Sequence, residues 1–173
     1  MGSIIVGIGD CKWSKDPSDV LITHALGSCI AILIYDPVAH VAGLLHYMLP
    51  DSTIDQNRAG ERPFVFADTG IPMLFQKAYQ LGAVKSRILV AAVGGAQMLD
   101  PDGTFNIGKR NHLAMRKIFW KAGVIVHKEE VGGTNSRTVR IDVQDGRMKL
   151  RTSGAGEQEL MFTTKQVGGR NGL

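Results

Sequence analysis

Between Thr23 and Pro50 two apolar arms, residues 29–35 and 40–48, flank the polar break Asp36-Pro37-Val38-Ala39. The arms are rich in Ile, Leu, Val and Tyr, which favour the pleated half-buried surface of a strand. Asp opens a type I turn and Pro presets φ at its second corner, so the pattern predicts a β-hairpin. With a four-residue loop over 36–39, Tyr35 faces His40 and Cys29 lies directly across from His46 on one sheet face. Ala31, Leu33 and Leu44 share that face; Ile30, Ile32, Ile34 and Leu45 occupy the other. A ribbon apolar on both faces has to be covered on both.

Other strands are predicted at 4–9, 20–26, 87–93, 124–128 and 139–143, the last joined through Asp145-Gly146 to 148–151. The stretches 10–18 and 51–63 read as polar loops, the second either a rim over whatever site the hairpin carries or a plain surface connection. A helix is expected from Asp68 or Thr69, with Ile71, Leu74, Ala78 and Leu81 on one face and Gly82 as its stop. A second helix is expected from Asn106, with Met115, Ile118, Phe119 and Ala122 inward and Gly123 ending it. The fold class is α+β: mixed β-sheets forming a sandwich-like core, with two main helices outside. Residues 1–160 read as a single domain and 161–173 as a flexible tail.

Composition narrows the function classes. Of 173 residues, 44% are hydrophobic and 21% charged, which is ordinary for a folded globular chain. No apolar run approaches the ~20 residues of a bilayer span, and no secretory leader is visible, so a cytoplasmic protein without membrane insertion is expected. Two cysteines without a C-x-x-C spacing leave no zinc site, and Cys11, in a polar stretch, reads as non-catalytic. Gly94-Gly95-Ala96-Gln97 lacks the G-x-G-x-x-G that cradles a pyrophosphate, and no cofactor or metal is implied. The net charge of +4 concentrates on Lys109, Arg110, Arg116, Lys117 and Lys121 and again at 147–151. These positions read as a solvated helix face and a solvated strand face, or alternatively as a docking surface for an acidic partner; no nucleic-acid motif accompanies them.

The chemistry-bearing residues sit in the hairpin. A Cys beside a His ionises more readily, and the thiolate is the nucleophile. Gly27-Ser28 before Cys29 is a flexible step that can aim backbone N–H groups at an oxyanion, and Thr23 can orient the imidazole as a third member. By themselves these residues serve a protease, a transglutaminase, a thioesterase or a deamidase equally well, and Cys29 equally reads as one more small buried hydrophobe of the core.

The run L-G-S-C at 26–29, with Thr23 six residues before the cysteine and H-Y-M-L-P-D at 46–51, resembles the CheD family. The resemblance continues through A-D-T at 67–69, G-G-A-Q-M at 94–98, N-I-G-K-R-N at 106–111, G-G-T-N-S-R-T at 132–138 and G-A-G-E-Q at 154–158. It implies a chemoreceptor glutamine deamidase with Cys29 as nucleophile, His46 as general base and Thr23 in support. It also implies a fold similar to the catalytic-domain type of the cytotoxic necrotizing factors, and methyl-accepting chemotaxis receptors as protein substrate. A CheC-type phosphatase is implied as a further partner; the alternative is a regulatory module that docks on these partners without catalysis.

Overall fold

The computed structural model describes residues 2–97 and 105–162. Ten strands are described: β1 (Gly2–Ile5), β2 (Asp10–Ser14), β3 (Asp19–Leu26), β4 (Ile30–Asp36), β5 (Val41–Tyr47), β6 (Leu89–Gly94), β7 (Lys128–Val131), β8 (Arg137–Asp142), β9 (Met148–Thr152) and β10 (Gly156–Leu160). Helices are α1 (Gln56–Glu61), α2 (Ala67–Gln80) and α3 (Ile107–Ala122). One sheet runs β1-β3-β8-β9-β10 and the other β2-β5-β4-β6-β7. Each is mixed, with one parallel pair, β1 with β3 and β6 with β7. The architecture is α+β, as expected.

The predicted hairpin is β4–β5, and it is buried along its whole length on both faces. Ala31, Leu33 and Leu44 pack with Leu21, Val139, Ile141 and Leu150 between the two sheets. Ile30, Ile32, Ile34 and Leu45 pack with Ile71, Leu74, Met115 and Phe119 under α2 and α3. The hairpin is therefore the middle layer of three, and two separate cores depend on it.

The register differs from the expected one. Asp36 pairs with Val41 and Ala31 with His46, so the loop is Pro37 to His40. The Asp36 carboxylate accepts from the N–H groups of Val38 and Ala39, and His40 takes a left-handed φ of 51° to close the turn. Asp36 remains in the ladder because Arg87 and the Val84 N–H also hold its carboxylate. Burial alone would raise that acid; the guanidinium and three backbone N–H groups outweigh it and hold the carboxyl at about 2. The slip is two residues, which keeps every side chain on its expected face.

Other boundaries also shift. The expected loop 10–18 contains β2, because Cys11 and Trp13 alternate inward: Cys11 is core, and the Trp13 indole donates to the Leu74 carbonyl. The expected strand at 124–128 begins only at Lys128, since the Val124 N–H is still closing the end of α3 on Phe119. The stretch 51–63 holds the single turn Ser52–Ile54 and α1, and β10 lies where no strand was expected. Helix α2 starts after Phe66 rather than under an Asp68 or Thr69 cap; Asp68 instead accepts from the N–H and hydroxyl of Ser52. Ala122 is exposed, although Met115 and Phe119 are inward as expected. Of the expected tail, Phe162 packs against the inter-sheet core and residues 163–173 lie outside the described residues.

Candidate active site

Strand β3 delivers Thr23 and then bends. Its pairing with β8 shifts by one residue between Thr23 and Leu26, a bulge at which Ala25 takes a φ of 54°. The extra residue puts His24 and Ala25 outside and returns Leu26 to the core. Gly27 and Ser28 then carry the chain to the mouth of β4, where Cys29 sits half-buried.

Thr23 and His46 are both fully buried and their side chains meet, Oγ1 to Nδ1 at 2.7 Å. The threonine hydroxyl also donates to the Val6 carbonyl at 2.6 Å. A hydroxyl has one hydrogen, so with that hydrogen on Val6 the oxygen can only accept from the imidazole. His46 therefore carries its proton on Nδ1, and Nε2 presents a lone pair. That nitrogen is buried and has no hydrogen-bond partner among the described residues. Asp10, opposite His46 in the β2–β5 ladder, spends its carboxylate on the Cys11 N–H and on Lys12, so no carboxylate backs the ring. Burial without a counter-charge lowers the imidazole to about 4.

Cys29 lies on the same sheet face as His46 but not directly across from it. Ala31 holds that position, and Cys29 is one ladder step of two residues away, a diagonal of about 7 Å. No hydrogen bond joins sulfur and imidazole, consistent with the open Nε2. Burial pushes the thiol up from its ordinary value, against a smaller opposite pull from its own backbone N–H. The expected ready ionisation is thus corrected: both partners are neutral, because the site is dry and neither charged form has a fixed counter-ion. Cys11 is buried in the other core, its thiol pushed far up, remote from this chemistry.

The loop before Cys29 is held by residues the sequence reading did not assign to the site. The carbonyls of Gly27, Ser28 and Cys29 accept in turn from the Ala96 N–H (2.8 Å), the Asn111 amide (3.0 Å) and the Gly95 N–H (2.8 Å). Gly94 has a φ of 120° and abuts the Cys29 carbonyl so closely that no Cβ fits there. Gly108 in α3 is packed as tightly, with a Cβ placed 2.6 Å from the carbonyls of Gly95 and Ala96. The motifs G-G-A-Q and N-I-G-K-R-N, unexplained as turn and helix start, are the cradle of the cysteine loop. The Gly94-Gly95 pair was one available signal; Asn111 closes the quoted N-I-G-K-R-N run, but nothing in the spacing gave it a role, since it is one polar residue on an inward helix face. Among the described residues no cluster of His, Cys, Asp or Glu is arranged to hold a metal ion.

A buried histidine with a fixed tautomer, a thiol on its sheet face and a backbone turn held by three successive carbonyl bonds define a thiol–imidazole site in a two-sheet α+β fold. The family described as CheD chemotactic sensory transduction matches residues 48–152. Over its length the chain is 53% identical to the probable chemoreceptor glutamine deamidase CheD of Solibacter usitatus, across 98% of this chain and 99% of that protein. It is 48% identical to the probable chemoreceptor glutamine deamidase CheD 1 of Syntrophus aciditrophicus, across 92% and 100% of the two chains. The chain belongs to the CheD family.

Proposed function

We propose that this protein hydrolyses the side-chain amide of glutamines on chemoreceptors, giving glutamate and ammonia, with Cys29 as nucleophile, His46 as base and acid, and Thr23 fixing the ring. The reaction follows from the relatives' names; the residue roles are supported chiefly by the Thr23–His46 bond that leaves Nε2 open on the Cys29 face. Since the resting pair is neutral, attack is base-assisted: the thiol proton passes to Nε2 as the S–C bond forms and the amide oxygen takes the negative charge. Closing the diagonal gap is left to substrate binding, as apo catalytic contacts are often long. Collapse of the adduct breaks the C–N bond, and Nε2 returns its proton to the departing ammonia. Water, deprotonated by Nε2, then hydrolyses the thioester and restores the thiol.

The oxyanion donors are the N–H groups of the 27–29 turn. Gly27 and Ser28 contribute through their peptide units rather than their side chains, and the Cys29 N–H lies nearest the sulfur. The sandwich is read as the cytotoxic necrotizing factor catalytic-domain type, with residues 1–160 acting as one domain. Among the described residues no helix is long and apolar enough to cross a membrane, and the proposed place of action is the cytoplasmic part of the receptor. A CheC-type phosphatase is proposed as a second partner, on family resemblance. The test is incubation with a purified cytoplasmic receptor fragment. Wild type should release ammonia in step with a mass gain of about one dalton per modified glutamine, and Cys29→Ala and His46→Ala should not. Binding without turnover by wild type would instead favour a docking module.

A further inference from the structure

Asn111 lies on the inward face of α3, wholly buried, yet it is one of the few polar groups the cores admit. Its side-chain nitrogen donates to the Ser28 carbonyl at 3.0 Å and to the Met48 carbonyl at 2.9 Å. Ser28 immediately precedes Cys29, and Met48 follows His46 by two residues. One amide group therefore joins the arm bearing the thiol to the arm bearing the imidazole. The backbone carbonyl of Asn111 accepts from the Tyr47 hydroxyl at 2.7 Å, which ties the helix to the same strand a second time. The amide orientation is fixed by its neighbours: both are acceptors, so a flipped oxygen would face two carbonyls. Among the described residues its own oxygen is buried without a partner, so the contact serves the loops at the expense of the side chain's own hydrogen bonding.

Peptide planarity extends this to the chemistry. In a trans unit the C=O and N–H point in opposite directions. Drawing the Ser28 carbonyl towards α3 turns the Cys29 N–H away from α3. The Ala96 N–H on the Gly27 carbonyl turns the Ser28 N–H in the same way.

We propose that Asn111 is a positioning residue of the deamidase reaction, aiming the Cys29 N–H at the oxyanion by holding the Ser28 carbonyl while keeping the His46 arm in register. Only a primary amide places two N–H hydrogens on two carbonyls at once; Asp lacks them and Ala removes the group. This role rests on the deamidase reading above. The experiment compares wild type, Asn111→Asp and Asn111→Ala on the receptor fragment, with Cys29→Ala as blank and thermal melting of each. Alkylation of Cys29 by iodoacetamide is measured in parallel, because that displacement develops no oxyanion. The expected result is a kcat lower by about 10- to 100-fold, with KM and the alkylation rate each within about twofold of wild type. An unchanged kcat, or alkylation falling in step with kcat, overturns the positioning role. So does failure of both variants to fold, which would make the contact structural. An inactive wild type overturns the deamidase reading itself, and this role with it.

Discussion

At the scale of single residues the site is defined by what His46 lacks. A threonine oxygen rather than a carboxylate backs the ring, so nothing stabilises an imidazolium, and burial holds it at about 4 against an ordinary 6.5. The base form is therefore present at all pH values above that value. The account predicts that kcat/KM stays level from about pH 5 to 8, with its acid limb near 4 and any alkaline limb set by the raised Cys29 thiol. A limb at the ordinary histidine value would mean an exposed or ion-paired ring. The same shift bears on stability: the unfolded chain binds the His46 proton below about 6.5 and the folded chain only below about 4. Stability is thus lost as pH falls through that window, by about 3 kcal/mol. That Cys29 and His46 share a sheet face was legible in the sequence from hairpin parity, and Thr23 meets the imidazole as expected. The exact offset of Cys29 from His46 was not legible, since it depends on the left-handed His40 and on Arg87, which is remote in sequence from the turn it helps to set.

At the scale of elements, period-two and period-3.6 patterns located the long pieces, while the short β2 and β10 escaped. The hairpin and both main helices carry apolar faces long enough to read. Strand β2 is five residues with two inward side chains, and the bulge in β3 has no composition of its own. Helix α3 combines both kinds of information. Its inward face holds the Cys29 loop through Gly108 and Asn111, while Lys109, Arg110, Arg116, Lys117 and Lys121 stand exposed on the other side. No acidic residue occurs in the helix itself, and of these cations Arg116 meets Glu129 of β7 at 3.5 Å. Lys117 is close enough to Asp51 to lower its acid, after the stronger pull of the Thr53 hydrogen bonds, which places the cationic face beside the segment leaving the His46 strand. A double replacement, Lys117→Glu with Lys121→Glu, should slow deamidation of an acidic receptor fragment several-fold at about 0.02 M salt and far less at about 0.5 M. Initial rates at the two ionic strengths check this; equal slowing at both would deny the face any steering role.

For the whole molecule, the arrangement explains why the proposed reactive pair sits where it does. The hairpin is the middle of three layers, so a histidine on its inter-sheet face is dry by construction, and a thiol at its open end is only half so. That both faces were apolar was visible in the sequence; that one is covered by a sheet and the other by helices was not, because the β3–β8 pairing spans more than a hundred residues. The central claim is that sulfur of Cys29 bonds to the glutamine carbon, and it is tested most directly by rapid acid quench of enzyme mixed with receptor fragment, followed by intact mass and peptide mapping. The account predicts a transient species equal to chain plus fragment less ammonia, mapped to Cys29 and absent from Cys29→Ala. Deamidation that persists in Cys29→Ala, or an adduct on any other residue, would contradict it.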